Sequence, residues 1–281
     1  MSSSLQNLLN NWSQYRKGIE EGGHHKYEHR WAMVVDLNLC IGCNACSTAC
    51  YAENNLPVVG KERYDRGHMM HWMRIERYWD ESPDKEFHEQ GASFLPMMCQ
   101  QCGAAPCEPV CPVVATYHTP DGLNAQVYNR CIGSRYCSNN CPYKVRYFNF
   151  WSYYDAAWPE PLNMQLNPDL AVRDKGVMEK CTFCVQRIRV AKDQAKMENR
   201  KVKDGEFTTA CAQACPTNAI VFGDQLDAES KVAQLWNKHQ VQRVVTKQDK
   251  QNPDLRGYRI LEELNVDPSV MYLERVRENV A

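Results

Sequence analysis

Apolar and polar side chains alternate through HWMRIERYW, residues 71–79, which predicts a β-strand there. A second short strand is expected in DGLNAQVYNR, residues 121–130, after an Asp121-Gly122 turn. PYKVRYFNFW, residues 142–151, is again strand-like. Residues 151–178 are rich in proline and asparagine and read as a loop that crosses back over the molecule. A helix is expected after Cys184, its charges forming an ordinary exposed face. AESKVAQLWNKHQ and LEELN, toward the C-terminus, also carry a helical pattern. The Met69, Met70 and Met73 group and the tryptophans read as core or interface packing. No apolar stretch approaches the length that spans a bilayer.

Composition narrows the class only slightly. A chain of 281 residues can bury a sizeable core in one or two domains. Its 33 Lys and Arg nearly balance 34 Asp and Glu, so there is no nucleic-acid footprint. The N-terminus, MSSSLQNLLNNWSQYRKG, lacks the long apolar core and small-residue cleavage site of a signal peptide. Alone, that favours the cytoplasm, while leaving open export as a passenger on a signal-bearing partner. His24, His25 and His29 lie in this polar region. His25 and His29 have helical ligand spacing, but an exposed polar arm is the simpler reading.

Cysteine changes the picture. Fifteen cysteines fall into four clumps. Cys40, Cys43, Cys46 and Cys50 read C-x2-C-x2-C-x3-C; Cys99, Cys102, Cys107 and Cys111 read C-x2-C-x4-C-x3-C-P. Cys131, Ser134, Cys137 and Cys141 read C-x2-S-x2-C-x3-C-P; Cys181, Cys184, Cys211 and Cys215 read C-x2-C-x26-C-x3-C-P. An odd count and tight C-x2-C repeats argue against disulfides. The last clump alone could pass for a zinc ribbon. Three closely spaced thiolates with a distant fourth, and prolines after Cys111, Cys141 and Cys215, instead resemble bacterial ferredoxins used twice over. Such a chain would move electrons one at a time.

In two-cluster ferredoxins the last cysteine of one run binds the other cluster. Chain order and that resemblance pair the second clump with the third, and the first with the fourth around them. Cys40, Cys43, Cys46 and Cys215 would then hold one [4Fe-4S] cluster, and Cys181, Cys184, Cys211 and Cys50 another. Cys99, Cys102, Cys107 and Cys141 would hold a third. Cys111, Cys131 and Cys137 would hold the last, with Ser134 at a vacant corner. A serine hydroxyl is a poor iron ligand, so a [3Fe-4S] cluster is expected, the alternative being a cube completed by serine oxygen or water. Losing an iron and a thiolate would make this site the most oxidising of the four. Lys144 and Arg146 either damp the negative charge of a thiolate-ligated cluster or merely solvate a face.

The expected fold is α+β, with two ferredoxin-like units, one inserted in the other, and loop-rich extensions. Residues 1–30 form an N-terminal arm; 31–98 and 175–224 the outer unit; 99–150 the inserted unit; 151–174 the crossover loop. Residues 225–281 form a helical extension that clasps the domain or a partner. No nucleophile motif, phosphate-binding glycine loop or dinucleotide fingerprint is present, so no substrate chemistry is assigned.

LNLCIGCNACSTACYAENNLPVVGKE, PMMCQQCGAAPCEPVCPV, YNRCIGSRYCSNNCPYKVRYFNF, and EKCTFCVQRI with ACAQACPTNAIVFGD resemble the four-cluster subunit of complex iron–sulfur molybdoenzymes. GKERYDRGHMMHWMRIERYW and the tail GYRILEELNVDPSVMYLERVRE narrow the resemblance to alternative complex III and the periplasmic quinone reductase complex. In many alternative complex III proteins this module is fused behind a molybdopterin-type domain. As a separate chain it is expected in the quinone reductase complex or in a split alternative complex III. The resemblance implies three [4Fe-4S] clusters and one [3Fe-4S] cluster. The partners it implies are a multihaem cytochrome c subunit, a molybdopterin-oxidoreductase-like subunit and an integral quinone-binding membrane subunit. It also implies the periplasmic face of the inner membrane, reached with a Tat-signalled partner; the cytoplasmic face is the alternative. An iron–sulfur subunit of a molybdopterin reductase for polysulfide, sulfoxide or an oxyanion is the second functional reading, and a structural zinc protein the third.

Overall fold

The computed structural model describes residues 28–79, 91–153, 158, 160–239 and 255–276. In chain order the regular elements are β1 (Trp31–Asp36), α1 (Ala45–Glu53), α2 (Lys61–Asp65), β2 (Met73–Trp79), β3 (Ala92–Met98), β4 (Thr116–His118), β5 (Asn124–Gln126), α3 (Tyr136–Asn139), β6 (Tyr147–Phe148), β7 (Met178–Glu179), α4 (Val185–Met197), α5 (Ala210–Gln213), β8 (Ile220–Asp224), α6 (Lys231–His239), β9 (Gly257–Tyr258) and β10 (Val270–Leu273). The architecture is mixed α and β, in keeping with the α+β expectation.

A four-stranded sheet in the order β8-β1-β10-β9 divides the molecule. β1 runs antiparallel to β8 and parallel to β10. Trp31, Met33 and Val35 face the large core, whereas Ala32 and Val34 face a smaller one with Val232, Trp236, Met271 and Leu273. Helix α6 therefore covers one side of the sheet, and the cysteine-rich core occupies the other. That core contains Cys46, Cys50, Cys99, Cys102, Cys107, Cys137, Cys141, Cys181 and Cys211 among its buried residues. Buried thiols thus take the place that large aliphatic side chains fill in an ordinary domain of this size.

β2 pairs with β3 from Met73↔Met98 to Trp79↔Ala92, as the alternation predicts. The Asp121-Gly122 turn is present, with Gly122 N–H donating to Thr119 C=O at 3.1 Å, and β5 follows it. In PYKVRYFNFW only Tyr147 and Phe148 form a strand, closing the long 151–178 loop by pairing with Glu179 and Met178. Helix α4 follows Cys184 as expected. Its charges are not all free on an exposed face: Arg187 pairs with Glu53 and Lys192 with Asp121.

Two expectations are corrected. The 225–281 segment is not solely a helical extension, because it supplies β9 and β10, and LEELN forms only a 3-10 turn at Glu262–Leu264. It also bonds to the second cysteine clump: Gly103 N–H donates to Asp267 C=O at 2.7 Å, and Ser269 N–H to Gln100 C=O at 2.8 Å. His29 does not sit in an exposed arm. It is 5% exposed, and its Nδ1 lies 2.7 Å from Asp224 Oδ2. His24 and His25 lie outside the described residues.

Candidate iron–sulfur sites

The first and third clumps share one local conformation. Gly42 and Gly133, each two residues after a leading cysteine, have φ of 68° and 73°. Two residues later Asn44 and Arg135 are left-handed, with φ 62° in both and ψ of 5° and 6°, and a helix begins at the next residue. A β-carbon on Gly42 would lie 2.4 Å from the Phe94 ring, and one on Gly133 2.7 Å from Gly176 C=O. Glycine is therefore required for space as well as for dihedral freedom. Ser134 occupies the position matching Cys43, and both are exposed.

The three Cys-Pro steps share another. Val114, Lys144 and Asn218, three residues after Cys111, Cys141 and Cys215, have φ of 51°, 50° and 53°. Each donates its N–H to the C=O of that cysteine, at 3.3, 3.3 and 3.2 Å. The next residue turns its N–H toward the sulfur: Ala115 to Cys111 Sγ at 3.2 Å and Ala219 to Cys215 Sγ at 3.3 Å. Val145 N–H acts likewise on Cys141. Burial alone would raise the thiol pKa of Cys111 and Cys215, but hydrogen bonds outweigh it and both are lowered: from the Val113, Ala115 and Thr116 N–H groups at Cys111, and from the Thr217 hydroxyl with the Ile220 and Ala219 N–H groups at Cys215. At Cys141 burial wins and the thiol is raised. The same turn thus presents each sulfur to amide N–H groups that favour thiolate.

The thiols gather across the chain. Burial, with Cys40, Cys215 and Cys43 as like-charged neighbours, pushes Cys46 up to about 11. Burial, then Cys181, Cys184 and Cys211, raises Cys50 far above an ordinary thiol. Packing of α1 against α5 brings these first and fourth clumps together. Burial, then Cys99, Cys107 and Cys141, does the same to Cys102. Cys99, Cys102, Cys107 and Cys141 also line one cavity, with Asn124, Tyr143 and Arg146 on its walls. Cys137 and Cys111 are both electrostatic neighbours of Arg146, and Cys131 Sγ accepts the Met178 N–H at 3.4 Å.

Such groups are costly as free thiolates, because each sulfur opposes ionisation of the others in a buried space. Cationic metal removes that cost, which is the chemistry of a cluster site. All fifteen cysteines are unbridged. Among the described residues no three His, Cys, Asp or Glu side chains converge as ligands of a single metal ion. Thiols gathered from two clumps into one buried space are the donor set that iron–sulfur clusters take.

Residues 39–115, which contain the first two clumps, match the 4Fe-4S dicluster domain family. The chain is 40% identical over 254 residues to the iron–sulfur cluster-binding subunit of a menaquinone reductase from Nitratidesulfovibrio vulgaris, covering 89% of this chain and 91% of the relative. It is 34% identical over 239 residues to Hdr-like menaquinol oxidoreductase iron–sulfur subunit 1 of Archaeoglobus fulgidus, covering 79% and 80%. The iron–sulfur subunit of a putative dimethyl sulfoxide reductase from Halobacterium salinarum is 32% identical over 254 residues, covering 86% and 78%. The chain belongs to the iron–sulfur cluster-binding subunits of the dimethyl sulfoxide and menaquinone reductase type. Subunits of this type transfer electrons within quinone and molybdoenzyme reductase complexes, implying catalytic and membrane partners.

In this iron–sulfur subunit, several groups around the sulfurs were not singled out by the cysteine spacing. Asn54 Nδ2 lies 3.5 Å from Cys50 Sγ, and Thr209 Oγ1 lies 3.2 Å from Cys211 Sγ. A polar residue two to four positions from a cysteine is the available signal for them. Lys180 is fully buried, bonds Cys181 C=O at 3.0 Å and exerts a positive field on Cys107. Of the two cations offered by the sequence, Lys144 is exposed and bonds Asn139 C=O, whereas Arg146 is 3% exposed and reaches a sulfur.

Proposed function

We propose that this protein is the electron-transfer subunit of a membrane-bound quinone oxidoreductase, relaying single electrons between a multihaem cytochrome c side and a membrane quinone site. The observation that carries the reading is the gathering of thiols from clumps far apart in sequence, with amide donors aimed at their sulfurs. Likeness to a menaquinone reductase subunit over most of both chains supports the quinone side. When bound, iron–sulfur clusters supply one-electron redox centres with no accompanying bond chemistry.

The ligand sets in this proposal are Cys40, Cys43, Cys46 and Cys215; Cys181, Cys184, Cys211 and Cys50; and Cys99, Cys102, Cys107 and Cys141, each for [4Fe-4S]. Cys111, Cys131 and Cys137 take a [3Fe-4S] cluster beside Ser134. The repeated loop and turn conformations support two ferredoxin-like units, one inserted in the other. Assignment to alternative complex III or a quinone reductase complex belongs to the same proposal, with a molybdopterin-oxidoreductase-like partner and a periplasmic position reached through a Tat-signalled partner.

A second reading has equal support from the relatives: the iron–sulfur subunit of a molybdopterin reductase. One subunit of the selenate reductase of Mesobacillus selenatarsenatis is 32% identical over 88% of this chain. Purification of the native complex decides between them. Multihaem cytochrome and quinone-binding subunits without molybdopterin support the first; bound molybdopterin with oxyanion or sulfoxide reduction replaces it with the second. About fifteen irons per chain, with acid-labile sulfide, are expected in both, and stoichiometric zinc without sulfide would overturn both.

A further inference from the structure

Arg146 lies deep in the cysteine-rich region with a cationic head that, among the described residues, no carboxylate contacts directly. Its Nη1 donates to Cys107 Sγ at 3.4 Å and to Asn124 Oδ1 at 3.2 Å. Its Nη2 donates to Thr116 Oγ1 at 2.8 Å and to Gln126 Oε1. Apart from the sulfur, these partners are neutral amide and hydroxyl oxygens. The carboxylate on this network, Glu108, is one step removed and already engaged, by Asn124 Nδ2 at 2.6 Å and His118 Nδ1 at 2.6 Å. β4 and β5 supply three of the holding groups, Thr116, Asn124 and Gln126, so the hairpin fixes the guanidinium in place.

The sulfurs in its field come from two different sets. Cys107 and Cys99 belong to the four that line one cavity. Cys137 belongs to the third clump, and its neighbour Ser138 donates its hydroxyl to Arg146 C=O at 2.9 Å. Cys111 ends the second, and Thr116, which Arg146 Nη2 bonds at 2.8 Å, lies in the turn that follows it. A fixed cation between two thiolate-rich sites, in a region of low dielectric, acts strongly on both.

We propose that Arg146 is the shared counter-charge of the Cys99, Cys102, Cys107, Cys141 site and the Cys111, Cys131, Cys137 site, so that one guanidinium sets the reduction potentials of both together. This rests on the cluster reading above. Reduction of either site adds one electron, supplied by dithionite in the test, and one negative charge, with no bond made or broken at Arg146. The charge favours the reduced form of each site, and the arginine keeps its protons throughout. Arg146 is a tuning residue and not an electron carrier.

The test is an EPR-monitored redox titration of the purified iron-loaded full chain. Arg146→Met should lower the midpoint potentials of two of the four centres together. Each reduction equilibrium should fall at least tenfold, which is about 59 mV for one electron. Arg146→Lys, which keeps the charge, should stay within threefold of wild type. Gln126→Glu keeps the arginine and places a carboxylate against it, so it should shift the same two centres in the same direction. If Arg146→Met fails to fold, Gln126→Glu decides alone. Unchanged potentials, or a shift confined to one centre, at wild-type iron and sulfide content would overturn the shared role and leave the cluster reading intact. Absence of iron and sulfide from the wild-type protein would overturn both.

Discussion

Arg135 repeats the backbone of Asn44: both are left-handed at φ 62°, both stand two residues after a positive-φ glycine, and both lead into a helix. The loop of the third clump is therefore shaped like one carrying three cysteines, although its middle position is Ser134. Left-handed backbone is uncommon for a residue with a long side chain. Here the Arg135 guanidinium sits 5.1 Å over the Phe148 ring, which adds a favourable contact in that conformation.

A cysteine at position 134 should consequently find its ligand geometry ready-made. On the proposed three-iron assignment, Ser134→Cys should add about one iron per chain, convert a three-iron EPR signal to that of a cube and lower that centre's potential. Little change in thermal stability should accompany it, because the position is exposed. A three-iron signal persisting unchanged would remove Ser134 from this corner.

The His29–Asp224 contact closes the start of β1 against the end of β8. Burial alone would raise the Asp224 carboxyl, but hydrogen bonds from His29 and from the N–H groups of Arg30 and Leu226 outweigh it and hold its pKa below the ordinary 3.8. The unfolded chain then binds this proton more readily than the folded one. The stabilisation is fully present above 3.8 and is lost as pH falls through the lower folded value. Asp224→Asn should cost about 1–2 kcal/mol at neutral pH. Thermal melts should show a deficit that is constant from about pH 7 to about 5 and shrinks only below about 4. A deficit that changes between about pH 7 and 5 would rule out Asp224 as the group responsible.

Arg173 and Glu179 form a 2.9 Å ion pair with side chains 4% and 1% exposed. Trp72 Nε1 donates to the same carboxylate at 3.2 Å, and the guanidinium lies 4.9 Å over the Trp72 ring. Removing one partner strands a buried charge, at a cost of about 3–5 kcal/mol. Arg173→Met should therefore lower the midpoint of cluster bleaching on heating by about 10 °C. Replacing both partners, as Arg173→Met with Glu179→Gln, should recover much of that loss. A double variant no more stable than the single one would show that the cation–π contact, and not the charge, carries the effect.

Legibility in the sequence follows from burial. The β2 strand can be read because apart from Met73 it is only half-buried or exposed, so polar residues alternate with apolar ones along Met73–Glu76. β1 and β10 cannot be read that way. Residues 31–35 are all buried, as are all four of β10, because core lies on both sides of the sheet, and a continuous apolar run carries no period. The cysteine positions stand out because their spacing follows ligand geometry. Their partners do not: Arg146 and Lys144 look equivalent in the sequence, and only the β4–β5 hairpin buries one of them. His29 reads as part of a polar arm because its partner, Asp224, is far away along the chain.

Cluster loading should also hold the fold together. Nine cysteines are buried residues of the large core, and burial with their neighbours raises several of them well above an ordinary thiol. An apo core would contain clustered thiols that lose the contacts a cluster makes with their sulfurs. Metal binding is then folding free energy as well as cofactor binding. Oxidative removal of iron in the presence of a chelator should abolish cooperative thermal unfolding and much of the ordered far-UV dichroism. Damage should centre on α1 and α5, whose packing joins Cys46 and Cys50 to Cys211. The β1–α6 layer has its own core of Ala32, Val34, Val232, Trp236, Met271 and Leu273 and should retain slower amide exchange than α1. Iron-free protein that melts cooperatively near the loaded protein's midpoint would show that these cysteines pack adequately as thiols and that the clusters contribute little to folding.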